Sequence, residues 1–450
     1  MSARTAFMFP GQGSYVPGLL ANLINEFPSA RKTLDHIDEA CDEHGHAPVS
    51  RLLIDRDAAS LDDLVADRSP DLDVALFSSG IVTYRILVEA GLHADVVVGH
   101  SLGEVSAFTA AGALTVRDAT RLVLARTAAL RDISSLDGGM IALAVGSARA
   151  RHLTGFIDEP SAVVAVDNGP DQCVISGSTT ALVMVEQLAA AAGIRATRLR
   201  AAKPFHNRLL RDAAEAFARA VDDIAVAEPK IPVYSPVLGR YVQSAEDIRA
   251  WVARHLTKPV LFYDGLLRLY RDGVRHYVES GGRDTLTSMV PACLPAAAET
   301  IAPLRQRYSA VQFRQAIGSG DAVPAPAANP VANPVVNPVA EATNGSAPTS
   351  TDAPAALPAA DELFAQIRQI YADALGYPVD LLDADVDLEA DLGIDSIKQI
   401  EAFRLARQRF GLPEPPAEVR VTSFSTLTEL AELLRTLADR TGPTPIKTGV

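Results

Sequence analysis

Long apolar runs are scarce in these 450 residues. No stretch reaches the roughly eighteen unbroken apolar residues that a membrane helix needs, and the opening segment, MSARTAFMFPGQGS, carries too short an apolar run for a secretory signal. Membrane contact is therefore not expected, and a cytoplasmic location is. Cysteine is equally sparse: Cys41, Cys173 and Cys293 are odd in number, far apart and outside any metal-ligand spacing, which excludes a disulfide framework and fits a reduced setting with no metal. Positive charge is in deficit, with 41 Lys and Arg against 55 Asp and Glu and a formal net charge of -14. A nucleic-acid surface is not expected on such a chain, whereas a basic protein partner suits it.

What is present is globular composition, 48% hydrophobic and 21% charged, with length for two or three domains. The stretch Val96 to Gly103, VVVGHSLG, organises the reading. Three valines predict a buried strand, Gly99 and Gly103 flank a sharp turn, and residues 104–111 continue as an apolar helix. Ser101 is thus placed on a strand-to-helix elbow, its hydroxyl held out beside the free amides of a helix start. Two glycines could also merely make a tight turn; the strand before and the helix after favour a nucleophile.

Upstream, the strand Thr5 to Phe9 runs into Pro10-Gly11-Gln12-Gly13-Ser14, where the glycines permit a tight turn and close approach to a ligand. Residues 17–65 read as helical and amphipathic, with surface histidines at 36, 44 and 46. A helix over 74–91 buries one face through Leu76, Phe77, Ile81, Tyr84, Leu87 and Val88. The next helix, near 117–133, has an apolar stripe of Ala119, Leu122, Val123, Ala129, Leu130 and Ile133, and Arg126 falls in the middle of it. A guanidinium on a buried face needs an anion. A local Asp would make a structural ion pair; a substrate carboxylate would make a binding fork.

From 138 to 202 short elements alternate as βαββαβ, the order of a ferredoxin-like subdomain inserted in a larger α/β body. Immediately after it, Lys203-Pro204-Phe205-His206-Asn207 places a histidine in a loop. An elbow serine needs a nearby base, and His206 is the candidate. No Asp stands out as a third member, so a backbone carbonyl could orient the imidazole. Residues 211–315 complete the body, with a final strand near 274–279.

Taken together and in order, FPGQGS, GHSLG, Arg126, GGMIALAVG, DNGPDQCVISG and PFH resemble the malonyl-CoA:acyl carrier protein transacylases and the acyltransferase domains of polyketide synthases, over residues 1–315. The resemblance implies an α/β hydrolase-like body in which Ser101 is acylated, His206 is its base and Arg126 holds the free carboxylate of the extender unit. It further implies an oxyanion hole made by Gln12 and the backbone N–H of Leu102, and a main-chain carbonyl in Thr257-Lys258-Pro259-Val260-Leu261 that orients the histidine. GHSLG and Phe205 follow the pattern of malonyl-selecting members, Phe205 leaving little room for an α-methyl group. The chain departs from the family's pattern at Tyr15, at Asp73 in a segment resembling TQPAL, at Lys203 and Pro204, and at Pro236; Asp73 bears on the substrate pocket.

Residues 316–358 are rich in Ala, Pro and Asn, with tandem Asn-Pro-Val units, and read as an extended tether. Residues 359–440 return to helical periodicity, a small acidic bundle with Asp391-Leu392-Gly393-Ile394-Asp395-Ser396-Ile397-Lys398 at the start of its second helix. Asp395 or Ser396 could simply cap that helix. The segment resembles the phosphopantetheine site of acyl carrier proteins, an all-α four-helix domain, which implies that Ser396 carries a covalent 4'-phosphopantetheine attached by a phosphopantetheinyl transferase.

The expected function is transfer of an acyl unit, malonyl above others, from CoA through Ser101 to a carrier, its own or one in trans, in polyketide or fatty acid biosynthesis. No segment is left over for a ketosynthase or reductase, so chain extension is expected on partner synthase components. Rival readings are an acyl hydrolase that clears stalled carriers and a carrier scaffold with a silent acyltransferase body.

Overall fold

The computed structural model describes residues 3–318, apart from 67–69, 134–135, 158 and 202, and in the C-terminal part mainly residues 360–375, 396–410 and 424–439. The chain divides into two compact units, Met1–Val323 and Pro324–Val450.

The first unit opens with β1 (Arg4–Phe9), whose residues from Ala6 to Phe9 are all buried. Residues 17–65, expected to be broadly helical, form three separate helices, α1 (Pro28–Glu43), α2 (Ser50–Ile54) and α3 (Leu61–Ala66). Pro28 opens α1 at a position where proline is tolerated, and Gly45, at φ +72°, and Pro48 separate α1 from α2. Helix α4 (Asp71–Glu89) is buried around nearly its whole circumference, Ser78, Ser79 and Thr83 included, and not on one face as its periodicity suggested. The reason is that α1, α5 (Gly103–Ala110) and α6 (Val116–Arg131) all pack on it. Between α4 and α5 lies β2 (Val96–Gly99), four buried residues.

Next come β3 (Gly139–Leu143), α7 (Ser147–Ile157), β4 (Val163–Gly169), β5 (Gln172–Gly177), α8 (Thr179–Ala191) and β6 (Ala196–Arg198). The chain then adds α9 (Arg211–Ala220), β7 (Val233–Ser235), β8 (Arg240–Tyr241), α10 (Ala245–Arg254), β9 (Val260–Leu261), α11 (Phe262–Arg271) and β10 (Val274–Glu279). The strand at 274–279 is not the last: α12 (Val290–Cys293) leads to an edge strand, β11 (Glu299–Ile301), before α13 (Ala310–Gly318). Its three residues alternate too little to be found by pattern.

Two sheets result. The larger runs β11-β10-β1-β2-β7-β8, parallel up to the antiparallel β7–β8 pair. Its inner strands read as continuous apolar runs because parallel sheets are covered on both faces. The smaller runs β6-β3-β5-β4-β9, with each neighbouring pair from β6 to β4 antiparallel and β9 added parallel to β4. Its core is Ile141, Leu143, Ile175, Leu182, Val185 and their neighbours. The addition of β9 ties the smaller sheet to the segment that follows α10, and that segment carries Lys258.

In the C-terminal unit α14 (Ala360–Leu375), α15 (Ser396–Arg409) and α16 (Leu427–Asp439) close over Leu363, Ile367, Tyr371, Phe403, Leu430 and Leu434. Of the tether expected over 316–358, residues 316–318 instead close helix α13, and 319–357 lie outside the described residues, as does the fourth helix expected for this bundle.

Candidate active site

The end of β2 dictates the geometry of Ser101. The chain must reverse from strand to helix within three residues, and Ser101 does so with φ +55°, a left-handed conformation that costs a residue with a Cβ about 1–3 kcal/mol. Close packing enforces it: a Cβ on Gly99 would meet the Glu104 nitrogen at 2.2 Å, and one on Gly103 the Phe9 carbonyl oxygen at 2.0 Å. Helix α5 is pinned from the far side by the buried Glu104 carboxylate, which accepts from Ser235 Oγ and from the Val237 amide at 3.2 Å. Burial pushes that carboxyl up to about 8, against the pull of these donors.

His206 reaches the elbow from the loop after β6. Its Nε2 lies 2.7 Å from Ser101 Oγ, and its Nδ1 lies 2.9 Å from the Lys258 carbonyl oxygen. A carbonyl only accepts, so Nδ1 carries the hydrogen and the Nε2 lone pair faces the serine hydroxyl. His206 also sits at positive φ, +59°. Asn207 holds it there: fully buried, it donates from Nδ2 to the Ser161 carbonyl at 2.8 Å, and its amide donates to the Leu256 carbonyl at 3.1 Å. Burial above all, then His100 and Arg126, lowers the imidazole pKa to about 3, so His206 is a neutral base.

Arg126, 3% exposed, has its anion inside the protein. Its Nη1 donates to Asp73 Oδ2 at 2.5 Å, its Nε donates to His255 Nε2 at 3.0 Å, and its guanidinium lies 5.1 Å from the centre of the Phe205 ring. Thr127 Oγ1 donates to the same Asp73 oxygen at 3.2 Å. Burial pulls the guanidinium pKa down and Asp73 opposes that pull. His255 is stacked on Trp251, with ring centres 4.3 Å apart, and burial and the neighbouring Arg126 hold its pKa well below the usual value. A neutral imidazole is what lets Nε2 accept from the guanidinium.

These groups border a cavity of about 420 Å³. Ser101, Leu102, His206, Arg126 and Phe205 line it, with Gln12 exposed at its rim on the loop after β1. The Leu102 amide precedes the first turn of α5, one of the helix-start donors with no intrahelical acceptor. Beside Ser101, His100 Nε2 meets Asn168 Oδ1 at 2.9 Å, and Asn168 Nδ2 donates to Gln172 Oε1 at 2.9 Å, so β4 and β5 are tied to the elbow. Among the described residues no His, Cys, Asp and Glu group could hold a metal, and all three cysteines are buried and free. No helix among them is long and apolar enough to cross a membrane.

The structure brings Ser101, His206, Leu102, Gln12, Arg126 and Phe205 to one cavity. Ser396 belongs to the other unit, at the first position of α15. Sequence reasoning missed His255 and Asn207, and it did not join Asp73 to Arg126. Asn207 was within reach, since a loop residue beside a base invites a positioning role. His255 is 129 residues from Arg126 and carries no local signal.

Residues 6–317 match the acyl transferase domain family, and residues 365–434 match the phosphopantetheine attachment site family. The chain is similar to polyketide synthase GfsA of Streptomyces halstedii, 31% identical over 65% of this chain but only 4% of that protein's length. It is similar to a malonyl CoA-acyl carrier protein transacylase of Bacillus subtilis, 31% identical over 64% of this chain and 90% of the relative. Among solved structures, the malonyl CoA-acyl carrier protein transacylase of Coxiella burnetii superposes with a TM-score of 0.64 at 25% identity, covering 71% of this chain and 98% of that one.

Proposed function

Because the chain belongs to the acyl transferase domain family, we propose that it moves an acyl unit, malonyl in the first place, from CoA to a carrier protein by way of a Ser101 ester. The observation that carries this reading is the hydroxyl–imidazole–carbonyl line: Ser101 Oγ, His206 and the Lys258 carbonyl at 2.7 and 2.9 Å. His206 Nε2 takes the Ser101 proton as Oγ attacks the thioester carbon. The Leu102 amide and the Gln12 side chain stabilise the oxyanion. Collapse of the tetrahedral adduct breaks the C–S bond, and Nε2 gives its proton to the departing sulfur, so that CoA leaves as a thiol and His206 is neutral again. In the return half-reaction the same nitrogen accepts a thiol proton and hands it to Ser101 Oγ as the ester breaks.

The phosphopantetheine arm supplies the accepting thiol. Ser396 is its proposed attachment point, at the first position of α15, and a helix N-terminus favours a phosphate. The body is read as an α/β hydrolase-like scaffold with a ferredoxin-like insertion, a reading supported by the spatial order β6-β3-β5-β4 of the βαββαβ segment. A malonyl carboxylate would meet Arg126, and Phe205 crowds the space beside it. The partners proposed are malonyl-CoA, the chain's own carrier or one in trans, a ketosynthase and other synthase components, and a phosphopantetheinyl transferase. Polyketide or fatty acid biosynthesis in the cytoplasm is the proposed setting.

Intact-protein mass spectrometry of the holo chain offered malonyl-, methylmalonyl- and acetyl-CoA tests this. Wild type is expected to gain malonyl at two positions, Ser396→Ala at one, and Ser101→Ala at none. Malonyl gain by Ser101→Ala would sink the mechanism.

A further inference from the structure

We propose that Asp73 is a specificity-determining residue that offsets Arg126, so that the cavity accepts uncharged acyl thioesters alongside malonyl. The inference rests on the acyl-transfer reading above. It starts from donor geometry. A carboxylate binds a guanidinium in a fork, across Nε and one Nη or across both Nη atoms. In Arg126 the Nε is committed to His255 Nε2 at 3.0 Å and Nη1 to Asp73 Oδ2 at 2.5 Å. Each edge that could take a substrate carboxylate therefore includes a nitrogen already engaged by a protein partner. Asp73 is not a stray side chain, since Thr127 Oγ1 also holds it and its side chain is only 11% exposed.

The charge balance of the wall agrees. Among the described residues three arginines line the cavity, and each already has a carboxylate: Arg126 has Asp73, Arg198 has Glu186 and Arg200 has Asp62. Much of the remaining wall is apolar, with Leu61, Val65, Leu72, Met140, Val166 and Leu199. A malonyl carboxylate entering this space adds an uncompensated negative charge beside Asp73. An acetyl or propionyl group adds none, and meets apolar wall.

Removing the Asp73 charge frees Nη1 and removes a like charge roughly 5 Å from the incoming carboxylate. At an effective dielectric of about 20 that is an advantage of about a few hundredfold for malonyl. The test is the rate of Ser101 acylation in the full holo chain, as kcat/KM for malonyl-CoA over kcat/KM for propionyl-CoA. The wild-type ratio is expected within about tenfold of unity, and Asp73→Asn is expected to raise it about a few hundredfold. Asp73→Gln is the second variant. Sulfonylation of Ser101 by phenylmethanesulfonyl fluoride, which has no carboxylate, reports whether the Ser101–His206 pair survives in each.

An unchanged or lowered ratio in a variant that still sulfonylates would overturn the proposal. So would loss of sulfonylation in both variants, which would make Asp73 a residue that only holds the fold. If wild type sulfonylates but no CoA thioester acylates it, the acyl-transfer reading itself falls and this one with it.

Discussion

Gly103→Ala is the sharpest perturbation of the elbow. Gly103 opens α5 with ordinary helical geometry, so alanine there carries no conformational penalty, and its effect is steric alone. The added methyl would lie 2.0 Å from the Phe9 carbonyl oxygen, 2.7 Å from the Phe9 carbonyl carbon and 2.8 Å from the Pro10 oxygen. All three are backbone, so no side chain can swing away. Relief requires the end of β1 and the start of α5 to part by about 1 Å, toward normal contact distance. The loop that must move carries Gly11 and Gln12, and Gly11 itself packs on the His100 carbonyl.

Overpacking of this kind costs about 1–3 kcal/mol, or a fall of a few degrees in Tm. A displacement of about 1 Å between Gln12, Leu102 and Ser101 costs about a hundredfold in rate. The assay is single-turnover acylation of Ser101 followed by intact mass, with Tm by calorimetry. Gly155→Ala in α7, where the methyl meets nothing within 4 Å, is the control and should leave the rate unchanged. Wild-type acylation by Gly103→Ala would refute the claim that the β1–α5 approach sets the oxyanion geometry.

Two further predictions concern charge. Arg126→Ala leaves Asp73 buried without its cation and should cost about 3–5 kcal/mol in urea unfolding, whereas the Arg126→Ala, Asp73→Ala double variant should cost less than the single one; additive losses would mean that the pair is not coupled. His206, held to about 3 by burial, stays neutral above that value, so kcat/KM for acylation should be flat from pH 8 down to about 5 and fall only toward pH 3. A limb at the ordinary histidine value of 6.5 would contradict the burial. By linkage, the unfolded chain protonates this histidine below 6.5 while the folded one does not, so the stability present above 6.5 is lost progressively as pH falls toward about 3.

Much of the site could be read before any coordinates because local rules act locally. Valine content and two glycines place Ser101 on a turn; helical periodicity puts Arg126 on a buried stripe; alternating short elements mark out 138–202. The family pattern joined these pieces and pointed to a main-chain carbonyl for the histidine, and that carbonyl is the one on Lys258. Periodicity erred at α4, because a helix packed by neighbours on several sides buries its serines and threonines as well as its apolar face. It was silent on β11, where three residues join an edge only because β10 is already there.

What the sequence by itself determined is therefore which groups exist and which local frame holds each: the elbow serine, the loop histidine, the striped arginine, and a serine opening a helix of a second unit. The tertiary structure decided what those groups face. Asp73 is 53 residues from Arg126 in the chain and 2.5 Å away in space, because α4 and α6 pack together, and His255 arrives from α10's end to take the remaining edge. Whether a buried guanidinium is free for a substrate or already satisfied is a question of neighbours. Desolvation makes it decisive, since a buried charge cannot be left without a partner, and which partner it finds is settled only when the helices meet.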